Sequence, residues 1–474
     1  MRQRHSFILA LLIGLASCSP KAKEPVRLYP KPDTDNGGLI LPDGFGALVV
    51  ADSIGPSRHL AVNGNGDIYV KLRITTGELF DPVAGNAALR DTDNDGKANI
   101  IQRFGNYPND GPFGTEMRIH NGNLYYSTER VVYRQRLTPP TLVPTSPAEV
   151  VFIDHHPLQW HNAKSLAFDH WGGMYVTFSA PTNNCEDWNT ASGEVTANVK
   201  GKSPCPEVAD QAGIWKFDEN GTEQYQQQGE KFATGLRSIV GIAWNEADSS
   251  LYAVQHGRDY LHEHAPKYFS EWDNAVLPAE ELVRIRKDED YGWPYTYFDP
   301  FRNKRYVAPE YGGNGKKEAK GYANPLMGLP AHWAPNDLLF YKGNQFPERY
   351  KHGAFVAFHG STNRGPYPQA GYIVAFIPFE GGKPTGTWEV FADGFAGVET
   401  IVKMSDAKYR PMGLAEGPEG SLYIVESKKG KLWRVMFTGD RANFGTAQLA
   451  GMEQRKSRSY IKTPDESADR LVAK

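Results

Sequence analysis

Several residues in this sequence stand where packing alone gives them little to do. His161 follows Leu158-Gln159-Trp160 and precedes an apolar stretch, where a neutral imidazole would serve as a general base. Gly235-Leu236-Arg237-Ser238 sets a guanidinium just ahead of the next apolar stretch. That stretch ends in Gln255-His256-Gly257-Arg258-Asp259, where Gly257 lets the backbone approach a ligand and turn its carbonyls to an ion. Glu280-Glu281-Leu282-Val283-Arg284 leads into Asp290-Tyr291-Gly292-Trp293-Pro294, and carboxylates with backbone oxygens around a glycine suit hard Ca²⁺. Arg364, closing His359-Gly360-Ser361-Thr362-Asn363-Arg364, and Arg410, in Tyr409-Arg410-Pro411, add bases. Arginines at equivalent positions of a repeat would form an anion cradle. Each has a plainer counterpart: a turn histidine, an ordinary charged strand, salt-bridged arginines.

Asp91-Thr92-Asp93-Asn94-Asp95-Gly96 has the spacing of a calcium loop, but Gln102 stands at the twelfth position, where an EF-hand has Glu. The choice is between a structural Ca²⁺ site and a solvated acidic turn.

The elements that must carry these residues repeat. An apolar stretch, a Gly, Asp, Asn or Ser turn, and an apolar-Tyr-apolar or similar triplet recur at Leu60 to Val70, Met117 to Tyr126, Leu166 to Val176, Ile242 to Ala253 and Leu414 to Ile424. Turn chemistry and alternation make each a β-hairpin. Short strands ending in a base follow several of them: Val132-Tyr133-Arg134, Ile214-Trp215-Lys216, Leu282-Val283-Arg284 and Leu432-Trp433-Arg434. With Gly353 to Phe358 and Tyr372 to Phe376 as a further pair, six hairpin signals predict an all-β fold, a six-bladed β-propeller over 39–438. A two-sheet sandwich of this length would be unusually large. The 48 glycines, 33 prolines and 24 tyrosines agree with many short strands and tight turns.

The chain ends point elsewhere. Residues 1–17 read as a signal peptide: basic start, apolar run from Ser6 to Leu15, small residues before Cys18. The run is too short to span a bilayer as a helix. Residues 18–38, rich in Pro, Lys and Asp, read as a tether, and 439–474 as a flexible C-terminal tail. In an oxidising envelope, Cys185 and Cys205 are expected to form a disulfide. No Cys-x-x-Cys-His occurs, so covalent c-type haem is excluded. A net charge of −3 offers no field for nucleic acid.

Taken together, these motifs resemble the glucose/sorbosone dehydrogenase family, its sorbosone-dehydrogenase-like branch most closely. The likeness rests on Gly235-Leu236-Arg237, Gln255 to Asp259, Tyr291-Gly292-Trp293-Pro294, Ala334 to Tyr341 running on to Gln345-Phe346-Pro347, His359 to Arg364 and Arg410-Pro411-Met412-Gly413. It implies a six-bladed propeller that binds pyrroloquinoline quinone (PQQ) and Ca²⁺ and oxidises an aldose or related sugar alcohol or aldehyde. His161 then matches the general base, and Arg237 the arginine beside the quinone. Gly257 and Arg258 fall where backbone carbonyls hold the cofactor's Ca²⁺. Glu281 and Tyr291 match a second calcium position, and Arg364 and Arg410 would meet the carboxylates of PQQ. Leu15-Ala16-Ser17-Cys18 likewise resembles a bacterial lipobox, which implies lipidation of Cys18, with Ser19 favouring the outer membrane, and a membrane link through that lipid alone. Ser238 replaces a usual Asn, Arg258 a frequent Pro and Thr362 a common aromatic. With no fused cytochrome domain, electrons would pass to a separate acceptor. Two other readings of the same propeller are a calcium-dependent sugar lactonase and a non-catalytic binding propeller.

Overall fold

The computed structural model describes residues 29–73, 85–105, 114–157, 163–186 and 197–459. Their strands form six antiparallel blades, counted here in chain order. After an opening strand β1 (Phe45–Ala51), blade 1 comprises β2 (Ser57–Val62), β3 (Ile68–Leu72), β4 (Asn86–Arg90) and β5 (Ile100–Phe104). Blade 2 comprises β6 (Met117–His120), β7 (Asn123–Ser127), β8 (Val131–Arg136) and β9 (Glu149–Ile153). Blade 3 comprises β10 (Leu166–Phe168), β11 (Gly173–Phe178), β12 (Gly213–Asp218) and β13 (Glu230–Thr234). Blade 4 comprises β14 (Ile239–Asn245), β15 (Ser250–Gln255), β16 (Glu280–Ile285) and β17 (Met327–Leu329). Blade 5 comprises β18 (Pro335–Phe340), β19 (Ala354–Phe358), β20 (Ile373–Ile377) and β21 (Glu389–Ala392), and blade 6 β22 (Pro411–Glu416), β23 (Leu422–Glu426) and β24 (Leu432–Phe437).

β1 completes blade 6 by pairing antiparallel with β24, from Phe45 opposite Phe437 to Ala51 opposite Leu432. The first and last strands of the propeller thus share one sheet, which closes the ring, with β1 as the outer strand of blade 6. Leu60 pairs with Val70, Leu166 with Val176, Ile242 with Ala253 and Leu414 with Ile424, so the recurring triplets are the second strands of the blades. In blade 5 the expected hairpin is corrected by one strand. β19 and β20 are its middle pair, and β18, which begins on a proline, lies innermost.

Side chains facing between blades make the core. The junction of blades 5 and 6 is aromatic: Phe45 meets Phe346, Phe391 and Phe437 edge-on at 4.9–5.1 Å, and Tyr350 stacks on Phe355. Such geometry sets the negative ring face against a positive ring edge. Cys185 and Cys205 form the expected disulfide, closing a loop on the rim of blade 3.

The described parts of both flanking segments, 29–38 and 439–459, are less free than their composition suggested. From Pro30 the tether lies on the propeller: the Asp33 carboxylate accepts the Val49 N–H at 2.8 Å, Asn36 accepts from Ala47, and the Trp433 indole donates to the Gly37 carbonyl. The tail expected to be flexible carries a helix, Thr446–Ser459, against β21. Met452 is buried there, Arg455 reaches Asp393, and Lys456 lies over the Trp388 ring. Cys18 and the signal segment lie outside the described residues.

Candidate active site

The innermost strands all start at one mouth of the ring. In four of them the register with the second strand slips there, between Ser57 and Leu60, Ile239 and Gly241, Pro335 and Asp337, and Pro411 and Gly413. A bulge inserts one unpaired residue and re-aims its side chain. Here the displaced residues meet: Val240 and Met412 pack with Ala163, Asn336 Nδ2 lies 3.2 Å from Met412 Sδ, and the His59 ring is 2.7 Å from the Asn336 carbonyl. The residues just before or at these bulges therefore ring the mouth.

Arg237 is one of them, and it is buried. Its guanidinium donates to the Asn183 carbonyl at 3.2 Å, to the Gly257 carbonyl at 2.9 Å and to Asp259 Oδ2 at 3.2 Å. Asp259 Oδ1 also takes Asn363 Nδ2 at 2.9 Å and lies 3.0 Å from His332 Nδ1. Its carboxyl is held well below the usual carboxylate range: the loss of solvent opposes ionisation, but His332, Arg237 and Asn363 outweigh it. Beside it, buried Glu280 accepts the Gly257 and Ala334 N–H groups at 2.6 and 2.9 Å. Burial pushes its carboxyl up to about 7.

Across the mouth is a pocket of about 380 Å³ lined by Ser57, Arg58, Arg73, His359, Arg410, Ser427 and Lys428, among others. None of its described lining residues is acidic. Arg410 donates to the carbonyls of His359 and Gly360 and lies over the Tyr372 ring. Burial, then the charges of Arg73 and Arg410, lower the Arg58 guanidinium to about 9. The same field acts on His359: desolvation, then Arg410, Arg58, His256 and Arg73, hold it well below its ordinary value, so it is neutral at pH 7. Arg58 Nε, Ser238 Oγ and Asn336 Oδ1, all buried around the mouth, have no hydrogen-bond partner among the described residues. Converging cations with an unused donor are what a multiply charged organic anion requires.

Of the residues singled out in the sequence, Arg237, Gly257 and Arg410 belong to this mouth. His161 lies outside the described residues, but Ala163 and Ser165, just after it, do belong: Ala163 packs against Val240, and Ser165 donates to the Val240 carbonyl. Arg364 is buried, next to the Asn363 that binds Asp259. The Arg258 side chain points away from the Gly257 carbonyl's partners into an ion pair with Glu310 at 2.5 Å, leaving only its main chain for an ion.

At Glu281 and Tyr291, the expected second calcium position, both side chains have protein partners. Both Glu281 oxygens face the Arg305 guanidinium, at 2.7 and 3.3 Å, and Tyr291 donates its hydroxyl to the Arg284 carbonyl. An arginine thus already neutralises that carboxylate. Asp91, Asp93 and Asp95 do converge, with one oxygen of each within 4.8 Å of the others, on the outer side of blade 1.

The sequence reading passed over Arg58, Arg73 and Lys428. Arg58 stood in plain view, since it precedes the first hairpin as Arg237 precedes the fourth and Arg410 the last.

A family model described as TrAA12-like matches residues 39–438. The chain is also similar to solved structures. One is the calcium structure of the Trichoderma reesei Carbohydrate-Active Enzymes Family AA12 protein, with a TM-score of 0.66 and 17% identity over 84% of this chain and 97% of that one. Another is the holo form of the pyranose dehydrogenase PQQ domain from Coprinopsis cinerea, with a TM-score of 0.64 and 16% identity over 86% and 98%. A third is the soluble aldose sugar dehydrogenase from Escherichia coli in its apo form, with a TM-score of 0.54 and 15% identity over 83% and 99%. At these identities the likeness is one of fold. An uncharacterised protein of Borreliella burgdorferi is 28% identical over 207 residues, 43% of this chain. The chain spans about half, 48%, of the length of that curated relative.

Proposed function

We propose, from the premise that this chain belongs to the TrAA12-like family, that it oxidises an aldose or a related sugar alcohol or aldehyde with PQQ and Ca²⁺ held at the mouth described above. The observation that carries this is the cationic pocket. PQQ is a flat tricarboxylate, and the residues fit it: Arg58, Arg73, Arg410 and Lys428 line a pocket with no carboxylate among its described lining residues, and Arg58 Nε has no acceptor among the described residues. The Coprinopsis cinerea relative is a PQQ domain in its holo form, and a Trichoderma reesei relative is a calcium structure.

The bound quinone would supply a two-electron, hydride-accepting carbonyl, and Ca²⁺ the Lewis acid that polarises it. The chain's own residues supply the rest. The main-chain oxygens of Gly257 and Arg258 would hold the ion, a hard cation suited to carbonyl ligands, the Gly257 oxygen with the lone pair that its bond from Arg237 leaves open. Arg364 and the pocket arginines anchor carboxylates. Arg237, fixed by Asp259, stabilises negative charge that develops on an oxygen at the mouth. His161, unprotonated, takes the proton from the sugar hydroxyl. Electrons leave to a separate acceptor, and Cys18 carries the lipid that keeps the protein at the cell envelope.

The test is dye reduction with an artificial acceptor by purified protein supplied with PQQ, Ca²⁺ and a panel of aldoses. Sugar-dependent reduction that disappears on chelation and in His161→Ala supports the proposal. Calcium-dependent lactone hydrolysis without PQQ would replace it with a hydrolase.

A further inference from the structure

The innermost strands end at a second mouth, about 20 Å from their starts for strands of six residues. There, a cavity of about 280 Å³ is lined by Arg118, Trp244, Lys342 and Glu416, with His59 and Glu116 deeper in. This lies near the lower end of the roughly 300–1,000 Å³ found for small-molecule sites. It is the size for one sugar ring rather than for a chain.

Against the cavity-lining Trp244 stands an unusual side chain. Trp171, in the turn between β10 and β11, is 70% exposed. Its ring stands at 89° to that of Trp244, with centroids 5.5 Å apart, and the His170 ring stands near a right angle to both, at 5.8 and 5.7 Å, so the three rings make a right-angled corner. Trp244 is itself fixed, stacked on Tyr175. Polar groups edge the corner: Glu246 pairs with His170 at 2.5 Å and with Lys342 at 3.4 Å, and Glu416 accepts the Lys342 N–H at 2.8 Å. A large aromatic face left in water forfeits the burial that aromatic side chains normally gain. Next to a polar cavity, such a face suits a ligand with one apolar face and an edge of hydroxyls. A pyranose ring has both: C–H groups for an indole, and hydroxyls for carboxylates and an ammonium.

We propose that this corner is a second carbohydrate site, on the face opposite the oxidation site, which holds one sugar unit of a neutral glycan without reacting with it. Trp171 stacks on the ring, Trp244 walls it, and Glu246, Lys342 and Glu416 take its hydroxyls. The proposal stands independently of the oxidation chemistry, since it uses none of the residues at the first mouth.

The experiment is calorimetric titration of the full-length protein with maltoheptaose and, separately, with cellohexaose. The expected result is saturable millimolar or tighter binding of at least one, weakened about tenfold or more in Trp171→Ala and clearly weakened in Glu246→Gln. Binding should be unchanged in His161→Ala, and PQQ-dependent oxidation of a monosaccharide unchanged in Trp171→Ala. Because Trp171 is exposed, that variant should fold normally. Absence of saturable binding to both oligosaccharides overturns the proposal, as does equal binding by Trp171→Ala. So does a blue shift of indole emission with phosphatidylcholine vesicles when neither sugar binds, which would make the corner a lipid contact.

Discussion

Arg237, in the loop that leads into β14, and Asp259, in the loop that leaves β15, meet at 3.2 Å, and Asp259 simultaneously ties in His332 and Asn363 from the loops around blade 5. One carboxylate thus holds the guanidinium that faces the mouth and joins two blades. Asp259→Asn is expected to cost about 2 kcal/mol in denaturant unfolding, because it leaves Arg237 without its counter-charge. It should also lower kcat more than it raises KM, as a loosened Arg237 would act on the reacting charge rather than on sugar binding.

The same cluster sets a pH dependence. Glu280 is raised from 4.5 to about 7, mainly by burial. His332 is also raised, since its bond to Asp259 outweighs its own burial. A group with a raised folded pKa gives stability that is complete below its unfolded value and lost as pH climbs through its folded value. The melting temperature of the cofactor-free protein should therefore fall as pH rises from about 4.5 to 7 through Glu280. His332 should add a further fall above its ordinary 6.5, flattened in His332→Gln.

The docked C-terminal helix makes its own prediction. Truncation after Gly445 strips the cover from Trp388 and removes the buried Met452, a loss of the order seen for core Met to Ala, about 2 kcal/mol or more. Thermal melts should show the loss while PQQ titrations do not, because the helix packs on β21 at the outside of blade 5.

The disulfide closes a loop with a sequence separation of 20. On the chain-entropy account, Cys185→Ser with Cys205→Ser should destabilise the protein by about 3 kcal/mol. Chemical denaturation of the double variant checks this.

The fold was readable where short-range pattern carries it. Triplets such as Ile68-Tyr69-Val70 are short continuous apolar runs because each second strand lies between two partners and is buried on both faces, and they marked the blades. Arg237 and Arg410 were readable because they stand at fixed places before such strands. Ring closure was not, since it pairs Phe45 with Phe437 across nearly the whole length of the propeller and no local pattern announces that. Asp259 was hidden for a similar reason: its partners His332 and Asn363 lie 73 and 104 residues away, and no local spacing announces them. The C-terminal helix read as a loose tail because its composition is largely polar, and its hold on the blade comes from a few side chains such as Met452 and Arg455. Glu281 and Tyr291 were linked by the family resemblance and their spacing, neither of which announces Arg305 arriving from a neighbouring hairpin.

Direct titration of PQQ into the protein, with Ca²⁺ present, tests the cationic mouth itself. The account predicts micromolar or tighter binding that weakens with added salt, and a loss of about tenfold or more in either Arg58→Ala or Arg410→Ala. Absence of PQQ binding, or binding indifferent to both arginines, would contradict it.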